Sequence, residues 1–190
     1  MNGMAHTLAT VPYASNGTLW AVDDGVLQRL KHYRGFLNLY GLSVLDVGQA
    51  SYISSMLGIS NHTCETDFNW DVRSYGDPYD VVTCFEVLEH VMNPALFLSS
   101  LICLMKPHGA LYLSTPLAPP LSSLVWRGHF TEYRMDALNT LFDYVGLKVR
   151  RVEVFRSLPF SHALTGIRPF IRWAWAFKTV LFELTVGGTQ

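Results

Sequence analysis

The stretch Asp80-Val81-Val82-Thr83-Cys84-Phe85-Glu86-Val87-Leu88-Glu89-His90-Val91-Met92-Asn93-Pro94 decides how this chain reads. Its first six residues are a short, mostly apolar run rich in β-branched side chains, the pattern of a strand buried on both faces. Directly behind it stand three ionisable residues, Glu86, Glu89 and His90, in otherwise apolar company. Such groups are costly there unless they are paired, hydrated or used. Asn93-Pro94 then opens a helix: Asn caps it, and Pro takes the first turn, where its missing N–H costs nothing. In open α/β sheets, ligands bind beyond the carboxyl ends of the strands. The loops after Val47, Cys84 and Leu113 are therefore the places to look for chemistry.

Upstream, Ser43-Val44-Leu45-Asp46-Val47-Gly48 is a second buried strand, closed by glycine. Before it, Asp23 or Asp24 caps a helix carrying Val26, Leu27, Leu30, Tyr33 and Leu37 at helical spacing. That helix is expected to run to about Tyr40 and to stop at Gly41. A short helix over 52–57 and a strand over 62–67 follow. Downstream, the helix from Asn93 runs to about Met105 and is stopped by Lys106-Pro107-His108-Gly109, with a strand over 110–114 behind it. Met135, Leu138, Leu141, Phe142 and Val145 trace one face of a further helix, with Gly146 as its C-terminal stop. Residues 147–155 and 179–186 read as the last two strands.

Strands that alternate with helices imply a mostly parallel sheet covered on both faces. The expectation is an α/β, Rossmann-like doubly wound sheet of about six or seven strands, shortened between the second and fourth, with the last strand antiparallel. One domain spans 1–190. It comprises an N-terminal extension over 1–22, mobile or loosely draped over 1–18, a core over 23–155, and an aromatic-rich C-terminal segment with the final strand over 156–190.

The chain has 190 residues, 49% hydrophobic and 15% charged, enough to build a core and too apolar for disorder. A formal net charge of −1 gives no general attraction to nucleic acid or anionic lipid. Cys64, Cys84 and Cys103 are odd in number and lack zinc-ribbon spacing, which fits reduced core thiols in a cytoplasmic protein. Residues 1–19 lack the basic start and apolar core of a signal peptide. The apolar stretch 170–186 is interrupted by Arg172, Lys178 and Glu183, so no transmembrane segment is expected.

Read together, Val44-Leu45-Asp46-Val47-Gly48, Tyr79-Asp80-Val81-Val82 through Glu86-Val87-Leu88-Glu89-His90, Leu104-Met105-Lys106-Pro107-His108-Gly109 and Leu113-Ser114-Thr115-Pro116 are similar in order and spacing to class I S-adenosylmethionine-dependent methyltransferases. The branch they resemble includes the ubiquinone-biosynthesis O-methyltransferases, and His129-Phe130-Thr131-Glu132-Tyr133-Arg134-Met135 continues the likeness. It spans roughly residues 25–155. The resemblance implies S-adenosylmethionine as cofactor, with contacts from Asp46, Gly48, Gln49, Ala50, Phe85 and Glu86. It also implies an acidic residue that holds the ribose hydroxyls. Asp67 takes that part if it ends the second strand. If the segment is instead a merged strand, Asp67 or Asp71 sits near the adenine.

Two departures stand out. The family's glycine-rich loop is degenerate here: after Asp46-Val47-Gly48-Gln49, Ala50 and Tyr52 occupy the places of the next two glycines. And the span from Asp67 to Asp80 is too short for the usual helix plus strand.

A helix starting near Glu86 would put Glu86, Glu89 and His90 on one face. With His129 they could hold a divalent metal that acidifies a substrate hydroxyl, as in metal-dependent O-methyltransferases that this arrangement resembles. The plainer account is that acidic residues in a first turn meet the helix dipole favourably. Without metal, His90 or His129 is the candidate general base. Trp126, Phe170, Trp173, Trp175 and Phe177 read as core packing or the seam of a homodimer, or more sharply as a lid over an apolar substrate.

Two functions compete. One is methyl transfer to a small-molecule acceptor, preferably at oxygen. The other, motivated by the degenerate loop, is a non-catalytic methyltransferase-fold protein serving as a binding or scaffold subunit. A nicotinamide-binding domain has no place for the Glu-Val-Leu-Glu-His segment.

Overall fold

The structure, a computed structural model, describes residues 9–11, 20–63, 77–118, 128–157 and 178–187. In chain order the elements are β1 (Ala9–Val11), β2 (Trp20–Val22), α1 (Asp24–Phe36), β3 (Val44–Asp46), α2 (Tyr52–Met56), β4 (Tyr79–Phe85), a single 3-10 turn (Leu88–His90), α3 (Pro94–Cys103), β5 (Met105–Leu117), α4 (Met135–Val145), β6 (Leu147–Arg156) and β7 (Lys178–Val186).

The main sheet has five strands in the order β3-β4-β5-β7-β6. β3, β4 and β5 run parallel, and β7 lies antiparallel between β5 and β6. The expected architecture is present, with fewer strands than expected among the described residues. Of the anticipated strand over 62–67, His62 forms a parallel bridge to Asp46, and residues 64–67, with Cys64 and Asp67, lie outside the described residues, as does Asp71. The expected loose extension is corrected in part: β1 and β2 pair as an antiparallel ribbon.

Alternation along the central strands splits the core into two layers. On one face Val82, Cys84, Leu111 and Leu113 pack with Phe97, Leu98 and Leu101 of α3 and with Leu138 and Phe142 of α4. On the other, Val81, Tyr112 and Leu181 meet Tyr33 and Phe36 of α1, with Ile53 of α2 alongside. Cys84 is a buried thiol as expected, whereas Cys103 is exposed.

Local signals account for most boundaries. Asp23 caps α1 by accepting from the Val26 N–H at 2.8 Å, and Asn93 caps α3 through the Leu96 N–H at 3.2 Å. Gly146 ends α4 at φ 82°, in the left-handed region where a β-carbon is penalised. α1 is the exception: it ends at Phe36, not near Tyr40. Arg151 of β6 donates to the Phe36 carbonyl and lies 3.8 Å over its ring, satisfying the orphan acceptor at the helix end. A residue 115 positions away therefore sets that boundary.

Gly35 is the exposed penultimate residue of α1, and apart from the helix's own backbone and its chain neighbours no atom lies within 4 Å of where its β-carbon would sit. Gly35→Ala is expected to stabilise the fold by about 0.5–1 kcal/mol, measured by urea unfolding. Among the described residues, no helix is long and apolar enough to cross a membrane.

Candidate active site

β3 and β4 are held in register by pairs such as Leu45 with Val82, so their carboxyl ends finish side by side. At the end of β3 the Val47 N–H donates to the Thr83 carbonyl at 2.8 Å, and the Gly48 N–H donates to the Thr63 hydroxyl at 3.0 Å. Gly48 sits at φ 134°, a conformation side-chain-bearing residues rarely adopt. A β-carbon there would face only Val87 Cγ2, at 3.9 Å, so the backbone and not crowding demands glycine. Gln49 and Ala50, at the following positions of the loop, are exposed.

Asp46 is 5% exposed and structurally committed: it accepts from the Thr83 hydroxyl at 2.6 Å and lies 3.4 Å from His62 Nδ1. Its hydrogen bond pushes the His62 pKa up, burial opposing. Part of the first turn of α2 is also paired. Ser51 and Ser54 cap each other: the Ser54 N–H donates to Ser51 Oγ at 3.1 Å, and the Ser51 N–H donates to Ser54 Oγ at 2.9 Å.

Glu86 is not on a helix. It adopts φ 56°, the left-handed region, so the expected shared face with Glu89 and His90 does not form. Only Leu88–His90 make a helical turn. The kink sends the Glu86 side chain to β5, where Ser114 Oγ donates to it at 2.8 Å. The Tyr33 hydroxyl lies 2.6 Å from the same Ser114 oxygen, and the Tyr33 ring stacks on Phe85 at 4.4 Å. Since Ser114 has one proton, it gives that proton to Glu86 and receives Tyr33's. Burial raises the Glu86 pKa, with Arg29 and Ser114 working against it.

Glu89 is 1% exposed, and the Thr115 hydroxyl donates to its carboxyl at 2.9 Å. Its backbone carbonyl receives Phe130 N–H at 2.8 Å and Thr131 N–H at 3.3 Å, which draws the loop after residue 128 over the strand ends. That loop carries His129, whose ring lies edge-on to His90 at 4.8 Å. His90 Nδ1 is 2.8 Å from the Gly128 carbonyl. A carbonyl only accepts, so Nδ1 carries the proton and Nε2 keeps its lone pair. Burial, then neighbouring His90, lowers the His129 pKa, so this ring stays neutral to lower pH than usual.

Ligand atoms of Glu89, His90 and His129 all lie within 4.8 Å of one another, so three of the four proposed metal ligands converge. Glu86 is not part of that group. Tyr33, Ser114 and Thr115 were not singled out by the sequence. Ser114 and Thr115 stood out only within the Leu113-Ser114-Thr115-Pro116 motif, and Tyr33 only as one residue of an apolar helix face. Trp126, Phe170, Trp173, Trp175 and Phe177 lie outside the described residues.

Burial, and then the charge of Glu86, push the Glu89 carboxyl from 4.5 up to about 8. Between those values the folded chain holds a proton that the unfolded chain has released. The stability contributed by this proton is therefore full below about pH 4.5 and is lost as pH rises to about 8. Glu89→Gln is expected to remove that slope and to be more stable than the parent at pH 8, read from urea midpoints across the range.

Parallel strands feeding two kinked loops, with helices on both faces, define a class I S-adenosylmethionine-dependent methyltransferase fold. The chain belongs to the methyltransferase domain family, whose model matches residues 23–152. Among curated proteins it is similar to a ubiquinone biosynthesis O-methyltransferase of Paraburkholderia phytofirmans, 30% identical across 46% of this chain and 50% of that one. The chain spans half or less of the length of the curated relatives it matches. Among solved structures it resembles the O-methyltransferase of a Brevibacillus brevis trans-AT polyketide synthase multienzyme, in complex with S-adenosyl-L-homocysteine. That match has a TM-score of 0.58 and 12% identity, covering 84% of this chain and 71% of the other. It also resembles the [4+2]-cyclase SpnF, with TM-score 0.60, 14% identity and coverage of 89% and 86%. These structural likenesses show the fold alone, and the fold by itself does not choose the reaction.

Proposed function

We propose that this chain binds S-adenosylmethionine across the ends of β3 and β4 and transfers its methyl group to an oxygen of a small-molecule acceptor. The observation that carries the reading is the pair of kinked loops at neighbouring strand ends, Gly48 at φ 134° and Glu86 at φ 56°. The first is open essentially to glycine alone and the second is costly for glutamate, and such strained residues cluster at ligand sites. The sulfonium makes the methyl group electrophilic, so the chain's task is to align the acceptor, exclude water and receive a proton. The acceptor oxygen forms its bond to the methyl carbon as the carbon–sulfur bond breaks, the electron pair going to sulfur. His90 Nε2, left as an acceptor by the Gly128 contact, takes the hydroxyl proton, with His129 beside it as the alternative base. Asp67 or Asp71 serves the nucleoside in this reading.

Calorimetric titration with S-adenosylhomocysteine tests the core of the proposal. Micromolar binding is expected, lost in Asp67→Ala. A melting temperature unmoved by millimolar ligand would sink it and favour a scaffold role.

The convergence of Glu89, His90 and His129 favours a second reading, a divalent ion that acidifies the acceptor hydroxyl. The donor set of one carboxylate and two imidazoles suits zinc, manganese or iron. The Thr115 contact and the raised Glu89 pKa count against it, since the carboxyl must ionise to bind. Absence of heat on titrating magnesium, manganese or zinc would remove this reading.

A further inference from the structure

We propose that the chain forms a twofold dimer through the outer edge of β6, which pairs antiparallel with the same strand of a second copy about Val152. The proposal is independent of which ligand the site at the strand ends takes. β6 closes the main sheet, and among the described residues its strand partner is β7 alone. Its outer edge presents a row of backbone N–H and C=O groups, a template for a further strand. The side chains continue that template. Residues paired across antiparallel strands project to the same face. Val149, Val152 and Val154 pair with Leu184, Phe182 and Val180, which are core residues packed with α3 and α4. Those three partners are fully buried, yet the valines are 41%, 48% and 45% exposed. The apolar core face therefore runs on to the edge strand and stops there uncovered by the described residues. A twofold axis perpendicular to the sheet keeps this face on the same side in both copies, so Val152 and Val154 of each would lie alongside those of the other.

Charge selects both the occupant and the register. Centred on Val152, self-pairing sets Arg151 opposite Glu153 of the partner subunit, twice by symmetry. Centring one residue earlier opposes Arg151 to its own copy, and one residue later opposes Glu153 to its own copy. Opposite charges facing across strands stabilise a pair, and like charges destabilise it. Arg151 lies 3.2 Å from Glu183 and Glu153 lies 2.6 Å from His32, but their side chains remain 47% and 37% exposed, so each can take a second partner. The bulge between Val149 and Arg151 bends the strand and ends regular pairing before Lys148 would meet Arg156 of the partner subunit. The seam is therefore short, and a micromolar dissociation constant is expected. Because the contact is isologous, it uses each β6 edge once and closes at two copies instead of growing into a fibre.

Sedimentation equilibrium on the full chain, from low micromolar to submillimolar concentration, is the test. Wild type is expected to rise from the mass of one chain to that of two. Val152→Lys sets two ammonium groups against each other on the axis and is expected to stay at one chain throughout. Its melting temperature should barely move, since the position is exposed. A second measurement reads the register. In a Cys64→Ser, Cys103→Ser background, Val152→Cys is expected to form a disulfide-linked dimer under mild oxidation, because residue 152 meets its own copy. Val149→Cys, displaced from the axis, is expected to form none. Wild type that stays at one chain at every concentration overturns the proposal. So does a dimer that survives Val152→Lys, which assigns the contact to another surface, and so does equal cross-linking at 149 and 152. Should Val152→Lys fail to fold, the two cysteine variants carry the test.

Discussion

Gly48→Val is expected to lower affinity for S-adenosylhomocysteine by more than about 100-fold while leaving a folded chain. At φ 134° the backbone occupies a region that costs a non-glycine residue about 1–3 kcal/mol, and a β-branched side chain is worst placed to bear it. There is room for the β-carbon, whose nearest neighbour stands 3.9 Å away. The chain would therefore relieve strain by turning the peptide and losing the Gly48–Thr63 hydrogen bond. That reshapes the loop at the end of β3, across which the cofactor is proposed to bind. For a chain of this size each kcal/mol shifts melting by about 2–4 °C, so the loss of stability is modest beside the loss of binding. Calorimetry and thermal melts on the same sample separate the two. Undiminished affinity would show that the ligand does not approach this turn.

Gly109→Ala is expected to have the opposite profile, with stability falling first. An added β-carbon would meet the carbonyl oxygens of Lys106 at 3.0 Å and of Asp80 and Tyr79 at 3.1 Å. All three are backbone atoms and cannot swing aside. Overpacking of this kind costs about 1–3 kcal/mol, and Gly109→Val should cost more. The strain falls on the seam between β4 and β5, where Val81 is paired with Ala110. A shifted urea midpoint with unchanged slope is the expected signature. The Lys106–Asp80 ion pair at 2.9 Å spans the same seam but is partly exposed, so its removal should matter far less.

These glycines show what could be read from residue order. Gly48 announces itself by ending an apolar run and Gly146 by closing a helical face, whereas Gly109, read as part of a helix stop, lies within β5. The buried strand 80–85 and the Asn93-Pro94 helix start are equally local signals, and the structure places each where it was expected. The misses are contacts between distant parts of the chain. Arg151 ends α1 from 115 residues away, and Tyr33 reaches Ser114 across 81. The left-handed turn at Glu86 has no compositional mark, since glutamate rarely adopts it. That one dihedral explains why the predicted trio of Glu86, Glu89 and His90 separates, Glu86 going to Ser114 and the others to His129.

The position of β7 carries a consequence for how the chain comes to order. The strand made from 178–186 lies inside the sheet, and among the described residues β6 is paired only through it. During synthesis, residues 147–156 emerge before the strand they pair with, which is complete only at Val186. The half of the sheet bearing β3, β4 and β5 can assemble early, whereas the β6 half waits for a long-range, antiparallel docking event. Pairings of that kind are slow to form, because distant segments must first meet. A ribosome stalled just short of residue 178 would thus hold a chain with its parallel strands assembled and β6 still unzipped.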